Sequence, residues 1–547
     1  MKGLKMANVV RRGLRVCVLM LVMLLIASVC VAEKYDAKLA SKARDAMKDA
    51  ATYMVDDVST NGGYLWYYYP DMSRRWGEME AYETMIWVQP PGSTSMGHLF
   101  LDAYHVTGDP YYYEAAKKVA SALIWGQLDC GGWNYIVDFA GDRSLKRWYD
   151  TIGKNGWRLE EFQHYYGNAT FDDDVSSDAA RFLLRMYLEE LDPVYKQPLE
   201  KAINFILESQ YPIGGWPQRY PLKYDFSHHG NPDYSSFYTF NDDVVAENVN
   251  FLIQCYETLG EKRFLDPIYR GMNFYIITQQ GEPQAGWAQQ YSLDLKPAGA
   301  RTYEPLSLDP GQTVSNIYHL MRFYRLTGDS KFLSGIPAAL DWLDSCRLPA
   351  DMTDGGKYTH SIFIEIGTNR SLFIHRRGSN VEHGYYWADY DDNLKNVHYG
   401  WKRFIDVEKI RSQYEELKAM DVDEVTKDSP LLPGTFDVSG ATPQDYYKDS
   451  FSSIRNTKVP TAQEVRGVLD AMDQGKRWLT TGGYASNPYI GDGVKADPTE
   501  EFASTNVGDE TDTSPYTEES GQQFISTSVF IRNMQVLMNY IGTGEKD

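Results

Sequence analysis

Apolar residues recur at helical spacing along most of this chain, and the helices they define come in pairs. Val245, Val249, Leu252 and Tyr256 form one such stripe, the buried face of a 3.6-residue period. It follows Thr239-Phe240-Asn241-Asp242-Asp243. Comparable helix starts stand at Val88-Gln-Pro-Pro-Gly-Ser-Thr, Thr170-Phe-Asp-Asp-Asp-Val-Ser and Leu308-Asp-Pro-Gly-Gln-Thr. Each helix runs to a turn: Thr107-Gly-Asp-Pro, Leu191-Asp-Pro, Leu259-Gly-Glu or Thr327-Gly-Asp-Ser. The spacing predicts a second amphipathic helix after each turn, over 112–125, 195–209, 264–278 and 332–344. Three of these end in a Gly-Trp loop, at Trp133, Trp216 and Trp287, and the fourth has Gly355-Gly356 in the matching place.

Units of helix, turn, helix and long loop bury their apolar faces only against one another, so they stack around an axis. For a chain of 547 residues the expectation is an all-α (α/α) toroid, an incomplete barrel of helix pairs with long loops and small β-hairpins at one end. In such a ring the helix starts and the loops gather at that end. Residues 141–169 and 220–238 lengthen two of the loops. Residues 359–378 read as a hairpin and 408–418 as a helix, while 425–460 and 485–520 carry the Ser, Thr, Asp, Gly and Pro of surface coil. The division expected is a signal peptide over 1–32, a toroid over 33–420, and a loop-rich extension over 421–547 whose final helix, 525–541, docks on the toroid.

The signal-peptide reading rests on Lys2, Lys5, Arg11, Arg12 and Arg15 followed by an apolar run from Val16 to Val29, with cleavage after Ala32. The run is short for a membrane span, and Val29 is a poor residue to precede a lipidated Cys30. The expectation is a secreted or periplasmic monomer with no stable membrane association. Export leaves 49 basic against 75 acidic residues, a net −26, which argues against nucleic acid as a partner. An acidic substrate would need a local basic patch or bound cations. Cys130, Cys255 and Cys346 remain, an odd number at unrelated spacings, so no disulfide framework or zinc site is indicated.

Chemistry is concentrated at the helix starts. The chain is 14% aromatic, with 41 Tyr and 13 Trp, and the loops bearing Trp133, Trp216 and Trp287 could offer a sugar-stacking rim or serve packing alone. Asp172–Asp174 and Asp242–Asp243 sit at two equivalent starts. Aspartate is a favoured N-cap, which would explain any one of them. Two clusters at equivalent points of a ring, however, face one funnel. A helix dipole lowers a carboxylate's pKa, so these groups are expected ionised, suited to a hard cation and unsuited to general-acid work. The tandem His228 and His229 make a poor metal pair without partners. Arg301 lies between a Gly-Trp loop and the next helix start, at the same end as the acids.

Together these residues resemble polysaccharide lyase family 10, the (α/α)-toroid pectate lyases. The resemblance covers roughly Ala169 to Arg377. It is carried by Ala-Thr-Phe-Asp-Asp-Asp-Val-Ser-Ser with Arg-Phe-Leu after it, Gly-Gly-Trp-Pro-Gln with Tyr-Pro after it, Thr-Phe-Asn-Asp, Trp-Ala-Gln-Gln-Tyr with Gly-Ala-Arg-Thr-Tyr-Glu after it, and Thr368-Asn-Arg-Ser-Leu-Phe-Ile-His-Arg-Arg-Gly. It implies Asp172 and Asp242 as calcium (Ca2+) ligands, Arg301 as the catalytic arginine, and Arg376 or Arg377 as a cation for the substrate carboxylate. Trp216, Gln218, Lys223, Asn241, Trp287 and Tyr303, which lie in or beside the same motifs, are the further candidates for substrate contact. Residues 225–237 are inserted before Thr-Phe-Asn-Asp, and Asp173 and Asp174 replace the family's usual Asn and Gly.

The implied reaction is β-elimination on polygalacturonate (pectate). Removing the C5 proton beside a carboxylate builds up charge that calcium and arginine would offset, and the C4–O bond then breaks to leave a 4,5-unsaturated uronide. A guanidinium is a poor base, its pKa being above about 12. An inverting glycosidase on the same toroid needs a carboxyl of raised pKa. A non-catalytic sugar-binding protein needs only the Trp loops.

Overall fold

The computed structural model describes residues 35–157, 159–223, 233–393, 398–432, 458–493, 505–517 and 521–544. The expected signal peptide and the His228-His229 pair lie outside the described residues. Five helix pairs stand side by side around an axis. In chain order the helices are α1 (Ala37–Tyr53), α2 (Ser93–Thr107), α3 (Pro110–Gly126), α4 (Asp142–Tyr149), α5 (Val175–Glu190), α6 (Pro193–Ser209), α7 (Val244–Leu259), α8 (Leu265–Thr278), α9 (Pro310–Thr327), α10 (Lys331–Ser334), α11 (Ile336–Ser345), α12 (Val407–Ala419), α13 (Val422–Thr426), α14 (Ala462–Asp470) and α15 (Thr527–Ile541). α2 pairs with α3, α5 with α6, α7 with α8, α9 with α10 and α11, and α15 with α1. α2, α5 and α7 are buried on nearly every face and line the inside, as helices hidden all round must. This is an (α/α) toroid, incomplete as a barrel.

The ends of the outer helices are fixed by repeated chemistry. Asp109-Pro110 and Asp192-Pro193 open α3 and α6, the Asp carboxylate accepting a backbone N–H and the Pro filling the first position, where no N–H is required. At the other end of α3, α6 and α8 stand Gln127, Gln210 and Gln279. Each amide donates to a carbonyl in its own loop and to one on the next outer helix or just before it: Gly131 and Pro198, Gly214 and Pro267, Ala285 and Gly335, all at 2.8–2.9 Å. Gly131 and Gly214 follow with φ of +100° and +114°. A Cβ at either would lie 2.2 or 2.0 Å from the carbonyl oxygen of Lys201 or Arg270, so a side chain is excluded twice over.

The Gly-Trp loops then turn into the core. Trp133, Trp216 and Trp287 are fully buried, and each indole N–H donates to a carbonyl of the preceding helix, that of Leu123, Ile206 and Tyr275. A buried Trp with a satisfied N–H is a packing residue. Past each Trp the chain enters a short antiparallel ribbon with the segment that leads into an inner helix: Met85–Trp87 with Ile136–Asp138, Ala169–Thr170 with Arg219–Tyr220, and Tyr238–Thr239 with Gln290–Tyr291. These ribbons lace together the end of the toroid at which the inner helices begin.

The first and last described helices belong to the same body. α15 packs on α1 and α2, and Phe524–Ser526 just before it pairs with Tyr67–Tyr68. Residues 505–517 brace the toroid elsewhere: Asp512 accepts the Trp157 N–H at 3.1 Å and Thr513 donates to the Ile152 carbonyl at 2.6 Å. The expected hairpin is Phe363–Ile364 with Ser371–Arg377, continued by Tyr385–Asp389. α4 lies inside a stretch read from sequence as loop. Cys130, Cys255 and Cys346 are free thiols. Among the described residues no helix is long and apolar enough to cross a membrane.

Candidate active site

Two inner helices start differently from their neighbours. α9 is capped in the ordinary way, Asp309 accepting from the Gly311 and Gln312 N–H groups. α5 and α7 have no side-chain cap. Instead Asp173 and Asp174 (φ 45° and 61°) and Asp242 and Asp243 (φ 54° and 54°) are consecutive left-handed residues at equivalent positions. Each such residue is strained by roughly 1–3 kcal/mol, and strain of this kind gathers at functional sites. The capping explanation of these acids is therefore set aside, and their carboxylates are free to turn inward.

Asp242, together with Asp172 just before the first left-handed pair, faces Arg301, which is 3% exposed. Its loop is a tight turn closed by the Glu304 N–H on the Arg301 carbonyl at 2.8 Å. Glu304 accepts from the Arg301 Nε at 2.9 Å, from Nη2 at 2.8 Å and from the backbone N–H at 3.0 Å. Nη2 also donates to Asp242 Oδ2 and to the Tyr399 hydroxyl, both at 3.0 Å, and Nη1 lies 3.5 Å from Asp172 Oδ2 and from Glu161 Oε2. Asn241 donates to Asp242 Oδ2 at 2.7 Å and to Glu304 Oε1 at 3.0 Å. Tyr303 donates to Glu161 Oε2 at 3.0 Å, and Tyr135 to Asp172 Oδ2. Glu160 accepts from the backbone N–H and hydroxyl of Thr302 at 2.6 Å each, so the lengthened 141–169 loop reaches into the site.

Asp172, Asp242, Arg301, Asn241 and Tyr303 thus converge. The other candidates do not. Trp216 and Trp287 have no exposed surface and cannot form a stacking rim. Gln218 is buried with both amide atoms unpartnered, its carbonyl holding the Phe171 N–H at 2.9 Å. The Lys223 ammonium donates to the Tyr166 carbonyl. Arg376 is fully buried, donating to the Thr505 carbonyl with its guanidinium 4.5 Å over the Trp157 ring, and Arg377 lies 4.8 Å over the Trp387 ring. Neither arginine is hydrogen-bonded to Arg301, Asp172 or Asp242. The C-terminal segment supplies the Thr505 carbonyl to Arg376, where a substrate carboxylate was expected. Glu160, Glu161, Glu304, Tyr135 and Tyr399 were missed. Only Glu304 had a signal, its i+3 position after Arg301 in a turn.

The electrostatics also depart from expectation. Burial and the neighbouring Asp172 and Asp173 carboxylates push Asp242 well above the usual range, and burial with Asp172 takes Asp173 to about 8. Asp174 is raised in the same way, and Asp243 reaches about 6 through burial and Glu247. Burial works on Asp172 too, but the Arg301 charge and bonds from Asp242 and Tyr135 outweigh it and hold Asp172 low. The helix dipole is a term of about 1 kcal/mol, too small to offset burial beside like charges. Burial disfavours the Arg301 cation, yet Glu304, Tyr303, Tyr399 and Asp172 together raise it well above its ordinary value. Arg301, which the resemblance makes the catalytic arginine, is thus held firmly as a cation.

Four carboxylates surround this one guanidinium, and Asp172 Oδ1 and Glu78 Oε2 are buried without partners. Hard oxygen donors in excess suit a hard cation such as calcium. Among the described residues no three His, Cys, Asp or Glu side chains form a preformed metal cage. Asp172 and Asp242 are the residues that would hold such an ion.

Residues 138–404 match the family model for pectic acid lyase. The structure is similar to the family 10 polysaccharide lyase from Cellvibrio cellulosa, at 19% identity over 59% of this chain and 98% of that one (TM-score 0.40). A mutant of that enzyme in complex with trigalacturonic acid gives 18% identity over the same shares (TM-score 0.39). An inactive variant of the α-1,6-mannanase of Salegentibacter sp., in complex with α-1,6-mannotriose, gives 12% over 92% and 99% (TM-score 0.32). A search of curated proteins gives no match. The span similar to the pectic acid lyase family, residues 138–404, holds Asp172, Asp242, Arg301, Glu304 and Tyr399.

Proposed function

We propose that this protein is an exported, monomeric pectate lyase that cleaves polygalacturonate by calcium-assisted β-elimination, leaving 4,5-unsaturated oligogalacturonides. The observation that carries this reading is the placement of Arg301 between Asp172 and Asp242, two acids at equivalent strained helix starts, inside the span matched to pectic acid lyases. Elimination builds charge on the carboxylate beside C5, and a preorganised buried guanidinium is the group that offsets it most effectively. The surrounding carboxylates favour the protonated form of Arg301, so charge stabilisation is the role the geometry supports. Asp172 and Asp242 would hold a calcium ion, which when bound would further neutralise the substrate carboxylate. Asn241, Glu304 and Tyr399 fix the guanidinium and the Asp242 carboxylate in place.

The decisive test is Arg301→Ala. Formation of the conjugated double bond, read by ultraviolet absorbance on polygalacturonate, is expected to disappear while binding measured by calorimetry survives. Equal loss of both would make Arg301 an ordinary binding residue. Appearance of saturated reducing ends with no unsaturated product would instead assign the toroid to the glycoside hydrolases.

A further inference from the structure

Buried arginines in the described structure are matched by carboxylates, with one exception. Arg181 grips Asp178 and Glu247, Arg185 grips Asp102, Arg301 has its ring of acids, and Arg376 lies in the field of Asp512. Arg219 is 2% exposed and forms no ion pair. Its Nη1 donates to Asn134 Oδ1 at 3.3 Å, and its Nη2 is buried without a partner. The guanidinium sits 4.6 Å over the Tyr166 ring and 5.3 Å over the Tyr135 ring, with Tyr149 and Tyr234 beside it. Ring faces attract a cation but do not neutralise it, and an ion withdrawn from water without a counter-ion is heavily penalised. Asp172, the acid whose field reaches Arg219, already has Oδ2 engaged by Tyr135 and Arg301.

The location gives the missing charge a source. Tyr135 stands between the two cations: its hydroxyl reaches Asp172 in the Arg301 cluster, and its ring face lies against Arg219. Asn134, the hydrogen-bond acceptor for Arg219, lines a surface cavity of about 190 Å³ together with Tyr165, Gly167 and Trp125. The Trp125 indole is 56% exposed at that cavity, a face on which a sugar ring can stack. We propose that Arg219 receives a carboxylate of the bound acidic polysaccharide, and so selects ionised over esterified uronate residues. This rests on the polyuronate reading of the substrate.

The test uses trigalacturonate and its methyl ester as probes, with binding by calorimetry and turnover on polygalacturonate. Arg219→Gln keeps a donor for Asn134 and removes the charge. It should weaken trigalacturonate binding at least tenfold, leave kcat within about threefold, and shrink the preference for acid over ester by the same factor as the binding loss. Asn134→Asp is near-isosteric and supplies the absent counter-charge from within. It should raise the melting temperature yet also weaken trigalacturonate at least tenfold, by occupying Arg219. A stabilised Asn134→Asp protein that binds trigalacturonate as the wild type does overturns the inference, even if Arg219→Gln fails to fold, and leaves Arg219 a structural cation among tyrosines. A wild type that neither binds nor cleaves uronate chains overturns the substrate reading, and this inference with it.

Discussion

Glu304 holds Arg301 with both oxygens of one carboxylate, Oε2 accepting from Nε at 2.9 Å and Oε1 from Nη2 at 2.8 Å. A forked pair of this kind fixes the plane of the guanidinium as well as its position. Each charge-assisted bond contributes about 1.5–3 kcal/mol. Glu304→Gln is therefore expected to lower kcat on polygalacturonate by roughly two orders of magnitude while KM changes little. An unaltered kcat would mean that Arg301 is aimed by Asp242 and Tyr399 alone.

Calcium dependence has a readout apart from turnover. Chelation should stop unsaturated-product formation and lower the melting temperature, and added calcium should restore both. At a hundred times its dissociation constant a ligand stabilises by about 2.7 kcal/mol. The thermal shift should be lost in Asp172→Asn and Asp242→Asn. Full activity in excess chelator would remove the metal from the mechanism.

The glutamines that end the outer helices tie one repeat to the next. Gln210→Ala removes its bonds to the Gly214 and Pro267 carbonyls, at about 0.5–1.5 kcal/mol for each. The expected result is a melting temperature lower by several degrees with kcat on polygalacturonate retained, measured by calorimetry and initial rates. An unshifted melting temperature would mean that water replaces the amide.

Acid stability should pass through Asp178 on α5. Burial opposes its charge, but His98 and Arg181 outweigh burial and depress its pKa from 3.8 to about 2. A depressed carboxylate stabilises the fold above its unfolded pKa, and that stabilisation is lost as pH falls through the folded value. The shift corresponds to on the order of 2 kcal/mol, removed between about pH 4 and pH 2. Melting curves of the wild type and Asp178→Asn against pH should show a gap that closes as pH falls from about 4 to 2. A gap that stays open at pH 2 would assign the loss to packing.

The toroid was legible because its device is local and repeated: an Asp-Pro turn, an amphipathic helix, a Gly-Trp loop. Where the signature weakens it was overlooked. The first repeat has Gly62-Gly63-Tyr64 in place of Gly-Gly-Trp, and α1 finds its partner α15 at the far end of the chain. Asp172, Asp242 and Arg301 were readable because helix starts of a ring must converge. The Trp residues and Arg376 were misplaced because a sequence gives the kind of surface a side chain offers but not what covers it. Glu160 and Glu161 lie in an inserted loop whose docking depends on Thr302 and Tyr303. The protonation of the acids depends on how many stand together, a sum over strands and helices far apart in sequence.

The pairing of α1 with α15 sets a timetable for the chain. Tyr35 stacks on Tyr540 at 5.7 Å, and the Asp36 N–H donates to the Tyr540 hydroxyl at 3.0 Å. At roughly 5–20 residues per second, the ribosome needs about half a minute to a minute and a half to travel from the end of α1 to the start of α15. Through that interval the apolar face of α1 has no permanent cover. The four central pairs can assemble without α15, whereas the ring closes only once α15 has been made, which leaves α1 the segment for a chaperone to hold.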